Sequence, residues 1–211
     1  MKRVINLDNW NRKEHFKFFS ALDDLFWGIT TTVDFTSIYQ QSKNMEVSFF
    51  VYSVHFIVKC INATTAFKLR IENGEVVEYD KINISPTIGR EDGTFGFGFF
   101  EYDTDLSLFI ENAEKEIHRV KNSTGLSFSK DTARADVIRY SALPWFAFSE
   151  MKHAGSIQTG DSIPKISTGK LIQEKKKLLL PISISVHHGL VDGRNVAEFI
   201  QNVKDGQNNT L

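Results

Sequence analysis

"SVHHGLVDGRNVAEF", Ser185 to Phe199, decides the reading of the fold. The residues leading into it alternate as a strand does: Leu180, Ile182, Ile184, Val186 and His188 share one face, and Ser183, Ser185 and His187 the other. The residues leading out, Asp192 to Val203, repeat at helical spacing, with Asp192 placed to cap the helix. A strand therefore passes into a helix within a few residues, and two histidines and an aspartate stand at the corner. His188 continues the apolar row where the strand ends, so it is partly desolvated. An imidazole titrates near pH ~6.5, and burial favours its neutral form. That suits a general base. A core histidine satisfied by a backbone carbonyl reads the same way in sequence. Asp192 is able to orient the imidazole, cap the helix or pair with an arginine. A metal would need a third ligand. None is apparent nearby, and Cys60 lies far off in sequence.

Working outward from the corner, Ile163–Ile172 and Leu178–His187 read as paired strands, with Lys175-Lys176-Lys177 as the solvated turn between them. Val137–Ser141 reads as extended and runs into "ALPW". Asp105–Lys121 is helical, because Leu106, Phe109, Ile110, Ala113, Ile117 and Val120 recur at helical spacing. Thr94–Tyr102, "TFGFGFFEY", reads as a strand. "FKLRIENGEVVEYD" signals a hairpin, with Asn73-Gly74 supplying two positive-φ positions for a tight turn. Glu46–Asn62 reads as a buried helix and Gly28–Phe35 as a strand. Tight hairpins imply antiparallel pairs, and strands interleave with helices. The expected fold is α/β: a two-layer sandwich in which a mixed, largely antiparallel sheet packs against helices. No repeat or linker interrupts the chain, so one domain over 1–211 is expected.

Composition narrows the function classes. The 211 residues are 41% hydrophobic and 24% charged, ordinary for a protein with a real core. Phe is frequent, at 18, which suggests a core, an apolar pocket or a subunit interface. The net charge of -1, with no basic stripe, argues against nucleic acid as a partner. The first residues lack the apolar core of a signal peptide. The best apolar run, Phe49 to Ile61, is too short for a bilayer and carries His55 and Lys59. No membrane association is expected. A single cysteine forbids an intrachain disulfide and agrees with a cytoplasmic location.

"HHGLVDG" resembles the HHxxxDG signature of the chloramphenicol acetyltransferases, which condensation domains and dihydrolipoyl acyltransferase cores also carry. Three further blocks narrow the resemblance. "NWNRKEHFKFF", Asn9 to Phe19, is similar to that family's N-terminal Trp-x-Arg-Arg/Lys-Glu-His-Phe stretch. "SALPWFAF", Ser141 to Phe148, is similar to its Ser-Ala-Leu-Pro-Trp segment, and "LLLPISISVHHGLVDGRNVAEFI" to its final strand and helix. The blocks stand in order along the chain.

The resemblance implies a CoA-dependent acyltransferase-like fold and a role for each matching residue. His188 takes the proton of an acceptor hydroxyl as its oxygen attacks the acetyl carbonyl of acetyl-CoA. Ser141 donates a hydrogen bond to the resulting oxyanion, and Ser167 stands where the family has a threonine that holds a water near it. Asp192 pairs with Arg12 and keeps the corner in shape. Both substrates are bound together, no metal takes part, and the family's trimer shares each site between subunits. Each residue also has a plainer reading: Ser141 as a strand serine bonded to backbone, Arg12 as a surface arginine at a helix start, and His187 as a structural residue.

Phe18, Phe19, Leu25, Phe95 and Phe97 are the candidate acceptor pocket. Here the sequence departs from the family pattern. Phe19 replaces a tyrosine whose hydroxyl contacts the antibiotic, Phe97 replaces a small residue, and Asp23 and Leu25 stand in another changed stretch. The expected function is acetyl transfer from acetyl-CoA to a hydroxyl, with chloramphenicol as first acceptor. The alternatives are a related acyltransferase with a different small-molecule acceptor and a ligand-binding homologue without turnover.

Overall fold

A computed structural model describes residues 1–155 and 160–208. The expected domain span of 1–211 also takes in 156–159 and 209–211, which lie outside the described residues. The elements in chain order are β1 (Lys2–Val4), α1 (Lys13–Phe19), β2 (Phe26–Asp34), α2 (Thr36–Asn44), α3 (Phe49–Asn62), β3 (Leu69–Glu72), β4 (Glu75–Tyr79), β5 (Asn83–Gly89), β6 (Phe95–Phe97), α4 (Leu106–Lys121), β7 (Val137–Ala142), β8 (Lys165–Thr168), β9 (Ile172–Glu174), β10 (Lys177–His187) and α5 (Gly193–Asn208).

The main sheet has the order β2-β10-β8-β7-β5-β6, with β9 added on β10. The β5–β7 and β7–β8 pairs are parallel and the rest antiparallel, so the sheet is mixed and largely antiparallel as expected. β1, β4 and β3 form a second, small sheet. Its hairpin turns at Asn73 (φ 51°) and Gly74 (φ 80°), the two positive-φ positions that the sequence supplies. α2, α4 and α5 contact strands of the main sheet, and α3 lies against all three of these helices. α3 is apolar nearly all round and buried from Val51 to Val58, as a helix must be when both sides face protein.

Arg70, on the hairpin, is fully buried with no carboxylate on its guanidinium. It donates instead to the carbonyls of Phe67, Leu69, Ala135 and Val137 at 2.6–2.9 Å. Burial lowers its pKa to about 10. The bonds tie the small sheet to the start of β7, the strand that carries Ser141.

Three readings of the sequence are corrected. The strand expected over Ile163–Ile172 is two, β8 and β9, both paired with β10. Pro181 of β10 has no N–H for a ladder and falls in the gap, where its carbonyl accepts from Gly169 N at 3.0 Å. The strand expected over Thr94–Tyr102 is continuous only over Phe95–Phe97: Gly98 N donates to Pro86 O, but Pro86 has no N–H to give in return, and the pairing resumes only as a bridge between Phe100 and Ile84. The helix expected from Glu46 starts at Phe49, since Glu46 is left-handed (φ 56°). Two elements have no period to betray them. α2 buries only Ile38 and Ser42, and β5 is covered on both faces and contains Pro86.

Candidate active site

The corner that ends β10 treats its two histidines oppositely. The strand stops at His187, so alternation does not extend to His188. His187 is 1% exposed and His188 is half-buried. Gly189 N donates to His187 Nδ1 at 3.1 Å, which requires that nitrogen to be unprotonated. Burial pushes the pKa of His187 down to about 4, so it is a neutral, fixed residue. Space beside the pair is tight: a Cβ at Gly189 would lie 3.0 Å from His187 Cε1 and 3.1 Å from Ser20 Oγ, so a side chain there would press on the buried imidazole.

His188 is held by rings and backbone. Its imidazole stacks on Phe19, with centroids 3.6 Å apart and planes 10° apart, and lies 5.5 Å from the Trp27 ring. Its backbone N donates to Leu25 O at 2.8 Å. Trp27 Nε1 donates to Val191 O at 2.9 Å and clamps the turn from the far side. His188 Nδ1 is buried and has no hydrogen-bond partner among the described residues.

Of the three roles open to Asp192, the structure fills two. Its Oδ1 accepts from Arg194 N (3.0 Å) and Asn195 N (3.2 Å), while its own N donates to Asn195 Oδ1 at 3.0 Å. That is a reciprocal cap on α5. Its Oδ2 forms an ion pair with Arg12 Nη1 from the start of α1. Burial pushes the carboxyl up, but the Arg12 bond and the cap hold it below the ordinary aspartate value. The aspartate fixes the corner by tying α1 to α5.

Ser141 and Ser167 stand together elsewhere. They are register partners on the parallel strands β7 and β8 and line one cavity of about 490 Å³ with Thr87, Phe97, Phe128 and His153. Thr87 Oγ1 donates to Ser141 Oγ at 3.1 Å. His153 Nε2 lies 3.0 Å from Ser167 Oγ. Nearby, the buried pair Lys165–Asp161 (3.2 Å) is joined by Arg139 at 2.9 Å from the same carboxylate, and Lys165 Nζ sits 4.2 Å over the Phe26 ring. A second hollow of about 570 Å³ runs along β2 past Leu25, Trp27 and Ser185 and shares His153 and Lys165 with the first. His153 carries no signal in the sequence, being a lone histidine in a loop without periodicity.

The five candidate pocket residues fall into two groups. Phe97 lines the Ser141 cavity, with Phe95 edge-on to it at 5.8 Å. Phe19 lies on His188, with the exposed Phe18 edge-on at 5.1 Å, and Leu25 lines the second hollow. His188 lines neither cavity among the described residues. Ser167 is the register partner of Ser183 on β10, and His188 is five positions further along. At about 3.3 Å per residue that is roughly 17 Å, beyond the reach of either side chain. One chain does not bring His188 to Ser141. No group of three or more His, Cys, Asp or Glu placed to hold a metal occurs among the described residues.

Comparison with known proteins covers the whole arrangement. The model of the chloramphenicol acetyltransferase family matches residues 2–204. Chloramphenicol acetyltransferase 3 of Escherichia coli is 28% identical over 207 residues, 98% of this chain and 97% of its own. A chloramphenicol acetyltransferase of Clostridioides difficile is 28% identical over 95% of this chain and 93% of its own. A solved chloramphenicol acetyltransferase structure superposes with a TM-score of 0.89 at 28% identity, covering 97% of this chain and 99% of the other. The dihydrolipoamide acetyltransferase of Azotobacter vinelandii, at 14% identity and a TM-score of 0.68 over 92% of this chain and 85% of its own, shares the fold.

Proposed function

The chain belongs to the chloramphenicol acetyltransferase family, and from that premise we propose that it acetylates a hydroxyl of chloramphenicol between two subunits of a homotrimer. It is an acetyl-CoA-dependent O-acetyltransferase. His188 removes the proton from the acceptor hydroxyl as the oxygen bonds to the acetyl carbon. The carbonyl oxygen takes up the negative charge, and Ser141 donates a hydrogen bond to it. Ser167 donates a second, directly or through a water. The carbon–sulfur bond then breaks, and His188 returns its proton to the sulfur, giving the acetyl ester and free CoA. No acyl-enzyme forms, so both substrates occupy the site at once.

The observation that carries this reading is the Arg12–Asp192 ion pair, which joins residues 180 positions apart at the corner that presents His188. The separation of His188 from Ser141 along β10 supports a site completed by a second copy, with the histidine of one subunit facing the serines of another. Exposed rings flank both halves: Phe18 beside the histidine, and Phe95 and Phe128 beside the serine. Such a surface favours burial in an assembly. The acceptor lies among Phe18, Phe19, Leu25, Phe95 and Phe97. The lone cysteine, buried in α3, supports a cytoplasmic enzyme. Among the described residues no helix is long and apolar enough to cross a membrane.

One feature favours a second acceptor. Lys165, Arg139 and His153 beside Ser141 suit a molecule with more polar groups. The test measures CoA thiol release from acetyl-CoA over a panel of hydroxyl compounds, chloramphenicol first, with light scattering for the assembly. Chloramphenicol-dependent release by a trimer is expected. Release with other acceptors alone would overturn the acceptor, and a monomer with full activity would overturn the shared site.

A further inference from the structure

Ser141 and Ser167 are side-by-side hydroxyls, and a hydroxyl helps an oxyanion only if its proton is free to point there. Thr87 already donates to Ser141 Oγ at 3.1 Å, which leaves the Ser141 proton free. The corresponding neighbour of Ser167 is His153, with Nε2 3.0 Å from Oγ, and here the direction of the bond depends on the tautomer. Burial and the nearby Lys165 hold His153 below the ordinary histidine value, so the ring is neutral at pH 7 and carries one N–H. Its Nδ1 is buried with no partner among the described residues. A buried N–H left unpaired is rarer in proteins than an unpaired acceptor. The proton therefore belongs on Nε2.

We propose that His153 is a positioning residue of the acetyl transfer: its Nε2–H donates to Ser167 Oγ and so turns the Ser167 proton, beside that of Ser141, onto the oxyanion. The inference rests on the proposed function and extends it to a residue outside the family motifs. His153 acts through Ser167 and forms no bond with the reacting atoms. Thr87 and His153 thus do the same for two neighbouring strands, each supplying the one donor that leaves its serine free to donate outward.

The experiment is a double-mutant cycle on the full-length enzyme, with acetyl-CoA and chloramphenicol as substrates. His153→Phe keeps a ring of similar size and removes the N–H. It is expected to lower kcat about 10-fold with both KM values nearly unchanged, since the lost bond acts on the intermediate. His153→Gln places an amide N–H where Nε2 stood and should restore most of kcat. Adding His153→Phe to Ser167→Ala should cost less than about 2-fold more, because the residue it acts through is already gone. Thermal melting of each variant reports folding separately. His153→Phe at wild-type kcat overturns the proposal, as does an equal loss in the Ser167→Ala background. If His153→Phe does not fold, the Gln variant decides: Gln with kcat as low as Ser167→Ala overturns the proposal, and Gln near wild type supports it. Wild-type enzyme that turns over no chloramphenicol overturns the acceptor reading and this inference with it, a failure visible before any variant is made.

Discussion

The histidine corner and the serine pair are built by different means. The corner is assembled from the two ends of the chain. Arg12 immediately precedes α1 and Phe19 ends it, Trp27 comes from β2, and His188 and Asp192 lie in the turn between β10 and α5. An ion pair, a ring stack and an indole bond hold it. The serine pair is set by register, as two neighbouring residues on adjacent parallel strands, each with one polar neighbour. The corner should therefore fail through charge and packing, and the serine pair should fail through chemistry with little cost to the fold.

The largest effect tests the corner. His188→Ala should lower turnover by at least about 10²–10⁴-fold, the range for loss of a general base, while the protein stays folded and its melting temperature falls only by what the lost stack on Phe19 contributes. His187→Ala should do the reverse: most activity kept, but a stability loss of about 1–3 kcal/mol, since it opens a buried position and leaves Gly189 N without its acceptor. Reversed losses would exchange the roles of the two histidines.

Ser141→Ala comes next. Loss of one oxyanion donor costs about 10²–10³ in kcat, and the KM values and melting temperature should hold because strand and register remain. A kcat within a few-fold of wild type would remove the oxyanion role and leave Ser141 as a strand serine.

The ion pair gives the third test, by stability and activity together. Arg12→Ala and Asp192→Ala should each cost about 1–3 kcal/mol, less than for a fully buried pair, because the aspartate side chain is 34% exposed. The double variant should cost clearly less than the two added together. Asp192→Asn keeps a capping side chain, so its loss reports the charge alone. Strict additivity would mean that the ends of the chain are not tied here, and the corner would need another explanation.

The smallest effect is on pH dependence. His187 binds its proton near pH 4 when folded and near pH ~6.5 when unfolded, so between those values the unfolded chain holds more protons. Stability is complete above about pH 6.5 and falls as the pH drops toward 4, by at most about 1.4 kcal/mol per pH unit for this one group. The lowered values of His55 and His153 act in the same direction. His187→Asn, whose carbonyl is able to accept from Gly189 N, should flatten part of that slope in melting curves taken across this range. An unchanged slope would mean that His187 is not the buried neutral group described.

What was legible in the sequence follows the same division. The strand-to-helix corner, the Asn73-Gly74 hairpin and α4 were readable because a period or a turn residue marks each one. The Arg12–Asp192 pair came from the family motif, since nothing local links positions 180 residues apart. α2 and β5 were not readable: one has too few apolar residues to show a period, and the other is covered on both faces.

By itself the sequence determined the class of fold, the family and the residue types of the chemistry, because repeats of apolar residues and contiguous motifs survive in one dimension. Only the tertiary structure decided which histidine is buried, since that depends on where β10 stops. It also decided that the splitting of β8 from β9 accommodates Pro181, and that His153, silent in sequence, meets Ser167. Finally, it set His188 and Ser141 at separate places on one chain. Pairing register, ring stacking and hydrogen-bond direction are properties of three-dimensional neighbours, and no spacing along the chain encodes them.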